Sequence, residues 1–229
     1  GISLAVAAIP EGLPAIVTIT LALSVNRILR RGAVIRKLHA VETLGCAGVI
    51  CTDKTGTITQ NKMTVQRIWV PGRTLNVSGS GYRAQGAVEE NGRPVQAARD
   101  AALGRLCEAA SLCTTAHITR AKDVYDVMGD PTEVAVLVAA AKAGVTKEAL
   151  LQQYTVIGEN PFDAARKRMS VTVSGPGGVR LLCKGAPDML LARCTHIETP
   201  AGPRRLAPRD RADINAACAR MAGEALRVL

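Results

Sequence analysis

Apolar residues dominate the chain from Gly1 to Val25, and the run is long enough to cross the hydrocarbon core of a bilayer. Pro10-Glu11-Gly12-Leu13-Pro14 interrupts it, and two prolines and a glycine so close together cannot continue an ordinary helix. Residues 27–39 are basic and predicted helical. The β-branched run Gly48-Val49-Ile50-Cys51-Thr52 predicts a buried strand, ending in the polar loop Asp53-Lys54-Thr55-Gly56-Thr57. Alternation of Met63, Val65, Ile68 and Val70 predicts a strand over residues 62–70. Residues 71–94 are rich in Gly, Asn and Ser and read as loops or short strands, and an amphipathic helix is predicted over 97–113. Gly129-Asp130-Pro131-Thr132-Glu133 reads as a turn opening a helix over 134–143, with Asp130 as cap and Pro131 in the first turn. Strands are predicted over 154–158, 168–173 and 179–183, and helices over 187–193 and 210–226. Arg227-Val228-Leu229 reads as the start of a strand. No internal repeat is visible.

The interruption near Glu11 predicts more than a bend. A carboxylate is costly at membrane depth, and irregular backbone survives there only where protein or a polar cavity covers it. Two half-helices meeting around Glu11 therefore predict a cation site. A buried soluble helix followed by a proline-rich turn is the alternative. Arg27, Arg30, Arg31, Arg36 and Lys37 follow at once, as on the cytoplasmic flank of a membrane helix. The net charge of +10 is otherwise compatible with nucleic-acid binding, but stacking on bases needs aromatics interleaved with the cations, and aromatics make up 2% of the chain. Nucleic acid is therefore not an expected partner. The seven cysteines form no CxxC pair, which argues against a zinc site or a disulfide framework. The segment before the break has no positively charged flank, so a signal peptide is not expected. The chain begins at Gly1 rather than Met and ends in mid-pattern, so it is expected to be an internal piece of a longer protein.

Asp53 lies where open α/β sheets place their chemistry, in a loop after a strand. An aspartate can serve as a covalent nucleophile, while Lys54, Thr55, Thr57 and backbone N–H groups can hold phosphoryl oxygens and a metal. Gly56 lets the backbone approach closely. Taken alone, the loop fits a solvated aspartate turn equally well.

The longer string Cys51-Thr52-Asp53-Lys54-Thr55-Gly56-Thr57-Ile58-Thr59 resembles the phosphorylation motif of the P-type ATPases. Pro10-Glu11-Gly12-Leu13-Pro14 resembles the fourth membrane helix of their type II, calcium-pump-like class, and Val41-Glu42-Thr43-Leu44-Gly45 resembles the linker between the two. The resemblance extends along the whole chain. It implies an ATP pocket in which Phe162 stacks on adenine, Glu133 lies near the base, and Lys167, Met169 and Lys184 line the pocket. Arg227 would reach the phosphates. Read from the residues alone, Phe162 could be plain core, Lys184 a solvated turn lysine, and Glu133 a residue favouring its helix N-terminus.

The implied fold is α/β. A membrane helix (1–27) precedes the first part of a HAD-like Rossmannoid phosphorylation domain (28–63) and a nucleotide-binding domain with an antiparallel sheet (64–229). The implied function is an ATP-driven cation pump that passes through an aspartyl phosphate at Asp53, with Mg2+ at Asp53 and Thr55 and the transported cation at Glu11. Calcium is the expected cation, with sodium, manganese and protons as alternatives. The implied partners are ATP, the cation, a lipid membrane and further domains of the same pump. The expected setting is multi-pass in a bacterial plasma membrane, with residues after about 28 cytoplasmic. Ala164 stands where many animal pumps carry an arginine, and Arg166 is the candidate to replace that contact. Asp188 ends Lys-Gly-Ala-Pro-Asp where the family more often has glutamate. Neither the family's dephosphorylating TGES loop nor its GDGxND magnesium segment occurs, so the chain by itself is expected not to turn over ATP. Two rivals from other classes are a soluble phosphatase of the same superfamily and a nucleotide-sensing module derived from a pump. The phosphatases usually carry a second aspartate where this chain has Thr55.

Overall fold

The computed structural model describes residues 12–121 and 124–229. The chain divides into two compact units, residues 1–58 and 59–229. The Pro10 and Glu11 part of the expected cation site lies outside the described residues.

In the first unit, helix α1 (Leu13–Leu29) starts with proline in its first turn, where a missing N–H costs nothing. Thr18, Thr20 and Ser24 turn their hydroxyls back onto the carbonyls of Pro14, Ile16 and Thr20 at 2.8, 2.8 and 3.0 Å. This satisfies those groups within the helix. Leu13, Ile16, Val17, Ile19 and Leu23 are all exposed. At 17 residues the helix is short of a full span, and among the described residues no helix is long and apolar enough to cross a membrane. The basic segment does not extend α1. The chain turns at Gly32, whose φ of +84° suits glycine, and resumes as a short helix α2 (Ala40–Gly45).

Residues 48–52 form no strand, contrary to the sequence expectation. A strand needs a hydrogen-bonded neighbour, and none of the described strands pairs with this segment. Val49 and Ile50 are 82% and 83% exposed, so the apolar run that predicted burial has nothing here to bury it.

The second unit is α/β with antiparallel sheets. β1 (Arg67–Val70), β2 (Arg73–Val77), β3 (Val88–Glu90) and β4 (Arg93–Pro94) form a four-stranded meander. Only the second half of the expected 62–70 strand pairs. A single 3-10 turn (Ala97–Arg99) leads into α3 (Ala101–Leu112), where Asp100 caps Leu103 N–H at 3.1 Å and also pairs with Arg73. A hairpin of β5 (His117–Ala121) and β6 (Val124–Met128) follows, unforeseen in the sequence.

Next come α4 (Pro131–Lys142) and a short α5 (Lys147–Leu151). A three-stranded antiparallel sheet follows, built of β7 (Thr155–Asp163), β8 (Arg168–Gly175) and β9 (Gly178–Gly185). The unit ends with α6 (Pro187–Leu191), the two-residue pair β10 (His196–Ile197) and β11 (Arg204–Arg205), and α7 (Pro208–Gly223). Residues 227–229 are not in a strand.

α3 and α4 join the layers. Leu103, Cys107 and Ala140 pack with Val70, Leu75 and Val88 of the meander, while Leu112 and Cys113 pack with Met169, Val171 and Val173 of β8. α4 is rich in alanine and valine and buried on most of its circumference, as a helix apolar all round must be. Its one buried cation, Lys142, reaches out to Ser78 O at 2.7 Å and Gly79 O at 3.2 Å.

Candidate functional site

The GDPTE segment builds the centre of the site one residue at a time. Gly129 has φ +124°, and a Cβ there would lie 2.7 Å from the Ala116 Cβ. Only glycine lets β6 end against that residue. Asp130 then caps α4 by accepting Thr132 N–H at 2.7 Å, and Pro131 fills the first turn. Glu133 follows, still in the first turn, where the helix dipole favours a negative charge.

The Glu133 carboxylate is clamped on both oxygens. Oε2 accepts Thr115 N–H at 3.0 Å, the Thr115 hydroxyl at 2.8 Å and Ala116 N–H at 3.1 Å. Oε1 accepts from Lys184 Nζ at 2.6 Å. Burial by itself pushes this carboxyl upward, but the hydrogen bonds from Lys184 and Thr115, with the charge of Lys184, outweigh it and hold the carboxyl at about 2. Glu133 is therefore an anion at any physiological pH, in a charge-assisted bond with a lysine from the neighbouring sheet.

Lys184 reaches Glu133 because of strand register. On β9 it lies opposite Met169 of β8, so both face the side where α3 and the 114–116 segment lie. Gly185 ends the strand where a Cβ would fall 2.3 Å from Lys167 O, so the close approach of β9 to the Lys167 turn requires glycine. Lys167 itself has φ +51°, donates its N–H to Asp163 O at 2.7 Å and accepts Ala186 N–H on its carbonyl at 2.9 Å. Arg227 comes to the same place from the far end of the chain, with Nη1 at 3.4 Å from the Thr132 hydroxyl.

Glu133, Lys184 and Arg227 are thus gathered at the start of α4. Phe162 is on the irregular stretch of β7, where pairing slips between Asn160 and Asp163, and it is 62% exposed. Arg166 donates to Pro161 O at 2.9 Å, beside it. Met169 is 2% exposed, in the core beneath the sheet rather than on an open wall. In the first unit, Asp53 begins an exposed turn in which Oδ1 accepts Thr55 N–H at 3.4 Å and Gly56 takes φ +79°.

The segment that holds Glu133 carries no motif in the sequence. Thr114, Thr115 and Ala116 follow α3 as a short polar break in an apolar pattern, and that break was the only signal. Nor does the sequence mark a cleft of about 280 Å3 beside them, whose walls include Thr115, His117, Lys147 and Glu159. Burial lowers the Lys147 ammonium, and the nearby Glu133 and Glu148 carboxylates work against that shift.

Residues 102–229 match the family described as P-type ATPase, cytoplasmic domain N. A "Calcium-transporting ATPase" of Bacillus subtilis (strain 168) is 44% identical over 230 residues, covering 100% of this chain and 26% of the relative. The "Cation-transporting ATPase pma1" of Synechocystis sp. is 40% identical, covering 100% of this chain and 25% of the relative. The "Calcium-transporting ATPase type 2C member 1" of Homo sapiens is 39% identical, again over 100% of this chain and 25% of the relative. The chain therefore spans about a quarter of the length of these relatives.

Proposed function

Because the chain belongs to the P-type ATPases, we propose that it carries the ATP site and the phosphoryl acceptor of a cation pump. The observation that carries this reading is the Glu133–Lys184 pair at the N-terminus of α4, ionised and clamped, with Arg227 beside it. Two cations and one carboxylate at a helix start suit an anionic nucleotide whose base carries an amino group.

In the proposed cycle, adenine stacks on the exposed ring of Phe162, with Glu133 and Lys184 at its edge and Lys167 completing the pocket, while Met169 supports the sheet from the core beneath. Arg227 meets the phosphates. One oxygen of the Asp53 carboxylate attacks the γ-phosphorus. The bond from that phosphorus to the bridging oxygen breaks, ADP leaves with the electron pair, and Asp53 becomes an acyl phosphate. Lys54, Thr55 and Thr57 hold the transferred phosphoryl oxygens.

The Asp53 turn fits Mg2+. Asp53 is exposed and its Oδ1 accepts Thr55 N–H at 3.4 Å, and a carboxylate is a hard oxygen donor suited to that ion. Mg2+, when bound at Asp53 and the Thr55 backbone, would offset negative charge on the phosphoryl group.

The transported cation is proposed to bind at Glu11, with Ca2+ the first candidate in view of the relatives' names. Residues 1–27 would form the broken membrane helix, 28–63 the start of the HAD-like phosphorylation domain and 64–229 the nucleotide domain. Support for the membrane assignment comes from the exposed apolar side chains of α1, its back-bonded hydroxyls and the arginines that follow. Partners of the chain are then ATP, the cation, the lipid bilayer and the rest of the pump.

ATP titration of the chain tests the nucleotide site, with an affinity expected in the range of roughly micromolar to millimolar. Lys184→Met is expected to weaken binding by about tenfold, the size of one charge-assisted hydrogen bond. Unchanged affinity in that variant would remove Lys184 from the site.

A further inference from the structure

We infer that Lys147 is a positioning residue for the nucleotide site, acting through the Glu133 carboxylate. The inference rests on the reading of Glu133 as a nucleotide contact. All three donors to Glu133 Oε2 come from Thr115 and Ala116. Those residues lie between the end of α3 and the start of β5, so neither a helix nor a strand ladder fixes their peptide planes.

Lys147 supplies what the ladder does not. Its Nζ donates to Thr114 O at 3.0 Å and to Ala116 O at 2.9 Å, one carbonyl on each side of Thr115. A single ammonium thus pins both ends of the stretch whose N–H groups point the other way, at Glu133. Ala116 is fully buried and packs so closely on Gly129 that a Cβ there would lie 2.7 Å away, so the segment also has a close neighbour in Gly129. Lys147 owes its place to the Thr146 cap, whose hydroxyl accepts Ala149 N–H at 3.4 Å and starts α5 at Lys147.

If the ammonium is removed, two carbonyls lose their partner and the 114–116 peptides can rotate. The clamp on Oε2 then loosens, and Glu133 keeps only Lys184. The effect on nucleotide must pass through Glu133, and that separates positioning from general stability.

The test is ATP affinity of the whole chain, measured by competition with a fluorescent nucleotide analogue, for wild type, Lys147→Met, Glu133→Gln and the double variant. Lys147→Met is expected to weaken ATP about five- to tenfold, the scale of one or two hydrogen bonds. In the Glu133→Gln background the same change is expected to do nothing more. The acid limb of ATP binding is expected to move to higher pH in Lys147→Met, because a loosened carboxylate protonates more easily. Lys147→Arg, which keeps a donor pair, is expected to restore part of the affinity and serves as the readout if Lys147→Met does not fold. Wild-type affinity in Lys147→Met, or an equal loss with and without Glu133, overturns the inference. A Glu133→Gln chain that binds ATP as wild type does would instead overturn the nucleotide site on which it rests.

Discussion

Replacing Glu133 by glutamine removes the negative charge and keeps the shape. In the wild-type chain the Lys184 ammonium is 2.6 Å from Glu133 Oε1, and the two side chains are 18% and 14% exposed. The lysine of Glu133→Gln would face a neutral amide in a site largely closed to water. For fully buried pairs, breaking one partner costs about 3–5 kcal/mol, and partial exposure here lowers the expectation to about 2 kcal/mol. Lys184→Met should cost less, about 1 kcal/mol, because three donors from Thr115 and Ala116 still serve the carboxylate.

The pH dependence is more diagnostic. Glu133 has a folded value of about 2 against an ordinary 4.5, so its contribution is fully present above about 4.5 and is lost as pH falls through about 2. A fall of that size corresponds to about 3 kcal/mol at most. Urea unfolding followed by fluorescence of Trp69, the one tryptophan, reads the second unit directly. Wild type should be more stable than Glu133→Gln at neutral pH, and the gap should close across the window from 4.5 down to 2. A gap that stays constant on acidification would show that Glu133 is not held ionised by this clamp.

Three further outcomes are expected. Phe162→Ala should weaken ATP by about tenfold or more, since stacking of a base on an aromatic is worth about 1–3 kcal/mol. It should leave the unfolding free energy almost unchanged because the ring is 62% exposed, whereas truncating a core phenylalanine costs about 3–5 kcal/mol. Gly129→Ala should destabilise by about 1–3 kcal/mol through its positive φ and the Ala116 contact, and wild-type stability in that variant would refute the close-approach argument. Cys107 and Cys113, whose thiols burial pushes up to about 11, should resist maleimide in the folded chain while the exposed Cys46, Cys51 and Cys194 react. Uniform labelling of all these would contradict the core as described.

How far the sequence could be read depended on whether the signal was local. The Asp130 cap and Pro131 in the first turn were legible because each acts within one turn, although the helix starts at Pro131 and not at 134. β8 and β9 were legible from β-branched runs that found partners in the same unit. Residues 48–52 carried an equally strong run and formed no strand, since pairing is decided by a neighbour and not by the segment. The β5–β6 hairpin was missed because Ile118 and Val127, opposite one another, find their apolar partners in Val134, Leu137 and Val138 of α4 rather than in a local pattern. α7 starts at Pro208 rather than 210 because Asp210 reaches back to Ala207 N–H at 2.8 Å while paired with Arg204. At the site, Glu133 and Lys184 were named from resemblance, and their contact follows from register. Thr115 and Lys147 had no motif to mark them, since the Lys147 ammonium bonds the carbonyls of Thr114 and Ala116, main-chain partners that leave no pattern in the sequence.

The proposed function turns on Asp53 accepting phosphate from ATP within a cation pump. The most direct measurement is transfer of label from γ-labelled ATP to the full-length protein that contains this chain, with and without Ca2+, in wild type and in Asp53→Asn. The expected result is an acid-stable, hydroxylamine-sensitive label that requires both Ca2+ and Asp53. Label that survives Asp53→Asn, or no label under any cation, would contradict it.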